Sequence, residues 1–329
     1  MLSRISIQNE STSTQIECPA CRSVLETATS LEKLETAYGL YGLYHCNDCD
    51  LQFWYPRNTD SSQYQTEDVY NETVQLHNLG LWHWPFFKYF PANKGKLLDI
   101  GCADGSFLSQ ARKRGFDVFG IDFDKEAVAA VVNQRKIPAQ ACSLDVFASG
   151  TNCGRFDVIT FFEVLEHQDD LCNFLEQVKR LTKSGGWIAG TVPNRDRFML
   201  IREYQDYPPN HFIRFSKRAL VHLLQTSGFS NVAVYEKGFR YVDLAVYLET
   251  HFLAGSAEVA KVYLKKKLLK ANAAQARILA LNGFEGRFGF GYQVLKAARL
   301  IRNAVLLVPA VVLNPILKPH LYFQAQVSR

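Results

Sequence analysis

Lys96-Leu97-Leu98-Asp99-Ile100-Gly101-Cys102-Ala103-Asp104-Gly105-Ser106-Phe107 is the stretch that decides the fold. A short apolar run ends there in a turn of small residues and then passes into a helical pattern. A second apolar run ends in Phe119-Gly120-Ile121-Asp122, so that a carboxylate follows the turn by about twenty residues. This is the pattern of the first strand, turn, helix and second strand of a doubly wound nucleotide-binding sheet. A carboxylate at the end of the second strand can accept hydrogen bonds from both hydroxyls of a ribose.

The composition of the turn indicates which nucleoside it would bind. A dinucleotide site needs Gly-x-Gly-x-x-Gly, so that bare backbone amides meet a pyrophosphate at the helix N-terminus. Here Ala103 is the middle residue of the turn and Ser106 takes the third small position, while Asp99 and Asp104 add carboxylates that would repel phosphate. The turn instead suits a ligand with an adenosine ribose and a cationic amino-acid end.

At these residues the sequence resembles the class I S-adenosylmethionine-dependent methyltransferases. The resemblance implies that Gly101 and Gly105 let the backbone approach the methionine part of S-adenosylmethionine (SAM) and that Asp122 holds the ribose. It places the following residues at the cofactor: Asp99, Gly101, Cys102, Ala103, Gly105, Asp122, Phe123, Ser143, Leu144 and Glu163. Ser143 and Asp145 both qualify as the residue nearest the adenine, and the choice stays open. Taken alone, the turn is also compatible with an ordinary βα turn that binds no ligand.

Three later segments match the same class in the same order. Arg155–His167 resembles its fourth strand with the residues that follow, and Leu181–Ile188 resembles its helix, turn and fifth strand. Pro208–Ser216, ahead of a helix and of Gly228-Phe229, is again typical of this group. The ordered match extends from Leu97 to Glu236, so the chain is identified as a member of this class, an enzyme that transfers methyl groups from SAM.

Alternating apolar runs and helical patterns predict an α/β fold. We expect a doubly wound, Rossmann-like sheet of seven strands with a final antiparallel strand. Strands are predicted at 97–101, 117–122, 138–142, 156–161, 186–192 and 231–236, with the last at 320–326. Helices are predicted between them, among others at 105–114, 124–135, 169–182 and 216–227.

The same patterns divide the chain into five parts. They are a zinc-ribbon-like cysteine module (1–60), an aromatic linker and helix (61–95), the SAM-binding core (96–240), a helical insertion or cap (241–318) and the last strand of the core (319–329). The many rings of the linker are expected to pack against the sheet rather than to bind a ligand.

Four of the eight cysteines stand in two Cys-x-x-Cys pairs, Cys18 with Cys21 and Cys46 with Cys49. Each pair can direct two thiolates at one ion, and two pairs complete the tetrahedral shell of Zn²⁺. No signal-peptide pattern opens the chain, which predicts a cytoplasmic protein and favours metal binding over disulfides. Because four thiolates close the shell, the zinc is expected to be structural, with thiol redox chemistry as the alternative.

The order of ribbon, Tyr-rich segment (Tyr64, Tyr70) and methyltransferase resembles a bacterial group that methylates sugars and small molecules. In that group the N-terminal part helps to cover the active site. A ribbon that binds nucleic acid should be basic, but Arg22 and Lys33 stand here among three glutamates. The sequence therefore argues against nucleic acid as a partner.

The net charge of +5 is unevenly distributed. From Gly255 to the end, twelve Lys and Arg stand against two acids. A basic segment of this kind favours an anionic partner: a phosphorylated or lipid-linked acceptor, or the inner face of a membrane that the protein would touch peripherally. The preferred alternative is that this segment forms a helical cap over the active site. Its charges would then lie on a solvated helix face. The run Ala304–Leu313 is too short to span a bilayer.

Methyl transfer from a sulfonium is an in-line displacement, so the enzyme mainly aligns donor and acceptor and removes water. An alcohol or phenol acceptor also needs a base, for which His167 and His211 are the candidates. On a helix, Glu163, Glu166 and His167 would share one face and could bind a divalent ion. A similar Glu-Val-Leu-Glu-His stretch occurs in the ubiquinone-biosynthesis O-methyltransferases.

The sequence therefore predicts methylation, preferably at oxygen, of a small-molecule, sugar-nucleotide or lipid-linked acceptor. A nucleic-acid-modifying methyltransferase would carry a signature such as Asn-Pro-Pro-Tyr, whereas Pro208-Pro209-Asn210-His211 has another order. A binding protein on an inactive methyltransferase fold would be expected to lose Asp122 or the glycine turn, and both are present.

Overall fold

The computed structural model describes residues 15–25, 30–36, 38–57, 81–150, 153–197, 207–237 and 318–328. Two compact units divide the chain, and the contacts discussed below lie within the first, which comprises Met1–Asp196, Leu200–Glu236 and His320–Arg329. The predicted helical insertion, most of the linker with Tyr64 and Tyr70, and the run Ala304–Leu313 lie outside the described residues.

Short strands dominate the N-terminal part, and longer strands alternate with helices after it. The N-terminal strands are β1 (Ile16–Glu17), β2 (Val24–Leu25), β3 (Glu32–Thr36), β4 (Gly39–His45) and β5 (Gln52–Tyr55). The later strands are β6 (Gly95–Ile100), β7 (Phe116–Asp122), β8 (Ala139–Ala141), β9 (Phe156–Phe162), β10 (Thr182–Pro193), β11 (Ile213–Arg214), β12 (Phe229–Lys237) and β13 (His320–Val327). The helices are α1 (Trp84–Tyr89), α2 (Ser106–Lys113), α3 (Lys125–Arg135), α4 (Leu144–Ala148), α5 (Leu171–Leu181) and α6 (Lys217–Thr226).

The large sheet has seven strands in the order β12-β13-β10-β9-β6-β7-β8. Strands β10, β9, β6, β7 and β8 run parallel to one another, while β13 runs antiparallel to β10. This confirms the predicted Rossmann-like fold with a final antiparallel strand. Strand β9 is apolar almost throughout because a central parallel strand is covered on both faces.

The helices cover the sheet with apolar stripes and begin at polar caps. Leu171, Leu175 and Val178 share the buried face of α5 at helical spacing. The carboxylate of Asp170 caps this helix by accepting a hydrogen bond from the backbone of Asn173. The aromatic segment is expected to pack against the sheet, and where it is described Phe86 is 1 % exposed with its ring 5.9 Å from that of Phe116 on β7.

A second sheet of four strands has the order β11-β5-β4-β3. Its strand β11 comes from the predicted core (96–240) and pairs antiparallel with β5 of the cysteine module. The cysteine module and the core are therefore joined by a shared sheet, which the sequence did not predict. Among the described residues no helix has both the length and the apolar composition needed to cross a bilayer.

Candidate functional site

The turn after β6 has a left-handed backbone at Gly101 (φ +74°), Ala103 (φ +43°) and Gly105 (φ +71°). A Cβ on Gly101 would lie 2.8 Å from a methyl group of Val164, and one on Gly105 would lie 2.9 Å from a methyl group of Val131. Both positions therefore need glycine. The turn lies where the parallel strands β6 and β7 end, the edge at which open α/β sheets bind ligands.

Asp122 ends β7 and is 7 % exposed. Its Oδ2 accepts a hydrogen bond from the backbone N–H of Ala103 (2.9 Å), and its Oδ1 accepts one from Asp124 (3.0 Å). Burial raises the pKa of Asp122, and these backbone donors oppose the shift. Each carboxylate oxygen keeps a second lone pair, so the group can also accept from ribose hydroxyls. The acceptor oxygens of Asp122 and the backbone of the turn fit the nucleoside end of SAM.

Asp99 lies beneath the turn rather than at its rim. The side chain is 2 % exposed, and its Oδ1 accepts a hydrogen bond from Thr160 Oγ1 at 2.7 Å. Burial raises the pKa of Asp99 well above its usual range; the Thr160 hydroxyl opposes this shift and the charge of Asp122 adds to it. Asp99 thus ties β6 to β9 under the turn, and its predicted contact with the cofactor stays a prediction.

Asp104 has a partner that the sequence did not reveal. Its carboxylate accepts hydrogen bonds from the backbone and hydroxyl of Ser106 (2.9 and 2.6 Å) and from Arg135 Nη2 (2.6 Å). Arg135 Nε also donates to the backbone carbonyl of Asp104. This ion pair offsets the negative charge of Asp104, so its contribution to repelling phosphate is weaker than the sequence suggests.

The other predicted cofactor residues are distributed around the same edge. Phe123 follows Asp122 and is 44 % exposed, while Cys102 is 4 % exposed. Ser143 caps α4 by accepting from the backbone of Val146 at 3.4 Å, and Leu144 is partly buried against the core. Their contacts with the cofactor remain predictions.

Glu163 follows β9 with a left-handed backbone (φ +54°). Its N–H donates to the carbonyl of Thr191 (2.9 Å), and its Oε2 lies 3.6 Å from Nε2 of His320, the first residue of β13. Nothing in the sequence pattern identifies His320 as a site residue. Strand pairing brings it to the carboxyl edge, because β13 runs antiparallel beside β10.

Glu166, His167 and His211 come together, with one ligand atom of each within 4.8 Å of the others. Leu165–His167 forms a single 3₁₀ turn instead of an α-helix, so helical spacing does not place Glu163 with Glu166 and His167. The rings of His167 and His211 are 4.7 Å apart between centroids.

The tautomer of His167 follows from its partner. Its Nδ1 lies 2.7 Å from the backbone carbonyl oxygen of Asn210, which can only accept, so Nδ1 carries the proton and Nε2 is the basic nitrogen. Burial and, to a smaller extent, the neighbouring His211 together lower the pKa of His167 to about 3, while the Asn210 bond opposes the shift. His167 is therefore a neutral ring held in a fixed orientation.

His83, which the sequence did not single out, packs against two rings near the turn that follows β6. Its ring centroid is 5.3 Å from that of Phe107 and 4.7 Å from that of Phe162. Its Nδ1 is shielded from solvent and has no hydrogen-bond partner among the described residues. Burial lowers the pKa of His83 to about 3, so the ring is neutral.

The four cysteines of the two pairs converge as predicted. Sγ of Cys18 lies 3.5 Å from that of Cys49, Sγ of Cys21 lies 3.5 Å from that of Cys46, and all four atoms lie within 4.8 Å of one another. Four Zn–S bonds of about 2.3 Å in a tetrahedron place sulfurs about 3.8 Å apart. The spacing fits one zinc ion and is too long for a disulfide.

Comparisons with known proteins bear on the methyltransferase family that the sequence predicts. A family model described as a methyltransferase domain matches residues 70–234, half of the chain. The chain is 34% identical over 111 residues to a ubiquinone biosynthesis O-methyltransferase of Paraburkholderia phymatum. The aligned region covers 31% of this chain and 45% of that protein. A protein of the same name from Hydrogenovibrio crunogenus is 27% identical over 135 residues, covering 39% and 56%. The chain thus spans about half the length of the curated relatives it matches.

A solved structure supports the fold. The phosphoethanolamine N-methyltransferase 2 of Haemonchus contortus, determined in complex with SAM, matches with a TM-score of 0.50 at 13% identity, over 91% of this chain and 71% of that one. The family match over half of the chain gives the assignment: the chain belongs to the methyltransferase domain family.

Proposed function

We propose that this protein methylates an oxygen atom of a small-molecule acceptor. The observation that carries the proposal is the His167–His211 pair beside the cofactor turn. Val164 links the two places, because its side chain packs on Gly101 and its backbone carbonyl accepts a hydrogen bond from the N–H of His167 (3.2 Å). The names of the two curated relatives, both ubiquinone biosynthesis O-methyltransferases, favour oxygen over nitrogen or carbon as the acceptor atom.

We assign the following roles to the residues of the chain. When bound, SAM supplies a methyl group on a sulfonium. Asp122 would accept hydrogen bonds from the ribose hydroxyls of SAM, and the backbone at Gly101 and Gly105 would hold its methionine part. His211 takes the proton of the acceptor hydroxyl, because His167 is a poor base with a lowered pKa. His167 acts as a positioning residue that packs against the ring of His211.

The four cysteines would hold a structural zinc ion. Four thiolates would complete its tetrahedral shell and leave no position for water or substrate, so the ion would take no part in methyl transfer. Its contribution is to fold the N-terminal module, because a site of this kind does not exist in the unfolded chain.

The acceptor class follows from charge. The basic segment from Gly255 onward favours a phosphorylated, sugar-nucleotide or lipid-linked acceptor. A cytoplasmic enzyme with peripheral contact at the inner face of the membrane agrees with such an acceptor.

An acceptor screen tests the proposed function. Purified protein is incubated with SAM carrying a ¹³C-labelled methyl group and with separate panels of phenols, sugar nucleotides and extracted lipids. We expect one panel to yield a methoxy carbon signal together with an equal amount of S-adenosylhomocysteine. Transfer of the label to nitrogen or carbon would contradict the proposal.

A further inference from the structure

We propose that the cysteine module positions His211, and that Asp50 transmits the state of the cysteine site to the acceptor side of the active site. The inference rests on the proposed roles of the cysteines and of the histidine pair. Three sets of contacts support it, and each joins the module to the segment 207–216 in which His211 lies.

The first link is the shared sheet. Strand β5 begins three residues after Cys49 and pairs with β11 through Phe53 opposite Ile213. The backbone N–H of Trp54 donates to the carbonyl of Phe212 at 2.8 Å. The residues that directly follow His211 are therefore hydrogen-bonded to the strand that leaves the second cysteine pair.

The second link is an apolar cluster. Trp54 is fully buried, and its ring lies 5.9 Å from that of Tyr207. Phe212 is 1 % exposed and packs edge-on against Tyr41 at 5.8 Å. Both sides of His211 in sequence are thus packed on rings that belong to the cysteine module.

The third link is Asp50, which follows Cys49 with a left-handed backbone (φ +66°). Its N–H donates to the carbonyl of Cys46 at 2.8 Å, so the second cysteine pair fixes its position. Its carboxylate lies 3.1 Å from Arg195 Nη2 and accepts from the hydroxyl of Ser216, the cap of α6, at 2.5 Å. Nε2 of His45 lies 2.9 Å from Oδ1 of the same carboxylate.

These links lead to the histidine pair. Asn210 lies between Tyr207 and Phe212, and its carbonyl oxygen fixes His167. The described contacts of Asp50 include none with the turn at 99–105. Loss of metal, or of the Asp50 carboxylate, should therefore disturb the His167–His211 side and spare the binding of SAM.

Hydrogen–deuterium exchange compares zinc-loaded protein with reduced, chelator-treated protein, both saturated with S-adenosylhomocysteine. We expect amides of 207–216 to exchange at least about tenfold faster after zinc removal, and amides of 97–122 to change by less than about twofold. Unchanged exchange at 207–216 after verified metal loss overturns the inference. If the purified protein contains no zinc, the proposed metal site is refuted. The comparison of Asp50→Asn with Asp48→Asn then tests the inference.

Asp50→Asn is compared with Asp48→Asn, both with all four cysteines intact. Asparagine tolerates the left-handed backbone at 50 but removes the charge that Arg195 needs. Asp48 lies between Cys46 and Cys49 and is exposed. The backbone carbonyl of Asp48 accepts a hydrogen bond from Arg218. The imidazole NMR signals of His211 and His167 should shift in Asp50→Asn only, with affinity for S-adenosylhomocysteine kept within about twofold. Unchanged imidazole signals in Asp50→Asn, or loss of cofactor binding in that variant, would refute the inference.

Discussion

Nδ1 of His167 donates a 2.7 Å hydrogen bond to the backbone carbonyl of Asn210, although the two residues are 43 positions apart. The bond joins the turn after β9 to the segment before β11. It fixes Nε2 as the basic atom of the ring, which burial keeps neutral, and His167 is in ring contact with His211. The acceptor side of the site is therefore assembled from two separate parts of the chain.

Replacement of His211 by Gln should remove the proposed base. We expect kcat to fall by about 10²–10⁴-fold, the range for loss of a general base, with little change in the affinity for SAM. His167→Gln should lower kcat less, because that ring only positions its neighbour. The measurement is steady-state kinetics with the acceptor identified by the labelled-methyl screen. Wild-type kcat in His211→Gln would rule out its role as base.

Metal analysis of protein purified without chelator should return about one zinc per chain. Cys46→Ser should lower this value, because it opens the tetrahedral shell. Cys153→Ser is the matched control, since that exposed cysteine lies outside the cluster. A metal-free protein with a Cys18–Cys21 disulfide would contradict the zinc site. Two equivalents would indicate that Glu166, His167 and His211 also bind an ion.

The stability of the fold should decline in mild acid because of His83. Its pKa is lowered to about 3 in the folded protein, against about 6.5 in the unfolded chain. Below pH 6.5 the unfolded state therefore binds a proton that the folded state refuses, and stability is lost progressively down to about pH 3. His83→Phe removes this proton site, and its Tm should fall less between pH 7 and pH 5 than that of the wild type. Equal losses of Tm in both proteins would contradict this account.

The lysines at 265–267, outside the described residues, test the anionic partner. Changing Lys265, Lys266 and Lys267 to Glu should weaken binding to vesicles that contain anionic lipid, and added salt should diminish the difference. Affinity for SAM should stay the same. If neither vesicle binding nor acceptor turnover responds, the lysines are a solvated face.

The sequence predicted the sheet well because its signals are local. The apolar run of β9, the glycine turn and the carboxylate ending β7 each lie within a few residues, and the structure has these strands within a few residues of the predicted bounds. Strand β10 is the exception, since it begins at Thr182 with an irregular register before Trp187.

The contacts that were missed are long-range. Strand β11 has two residues, too few for any periodicity, and its partner Phe53 is 160 positions away. The pairs Asp104–Arg135 and Glu163–His320 likewise depend on packing that a sequence pattern does not encode. The helical reading of Glu163 to His167 failed because the left-handed backbone of Glu163 ends the strand and only a 3₁₀ turn follows.

Calorimetric titration of SAM into Asp122→Ala tests the central claim most directly. The variant loses charge-assisted hydrogen bonds to the ribose, each worth about 1.5–3 kcal/mol, so affinity should fall at least about tenfold. Asp117→Ala is the control, because this exposed carboxylate lies on the same strand, β7. The account predicts wild-type affinity in the control and a large loss in Asp122→Ala. Unchanged affinity in Asp122→Ala would contradict the placement of the cofactor at this turn.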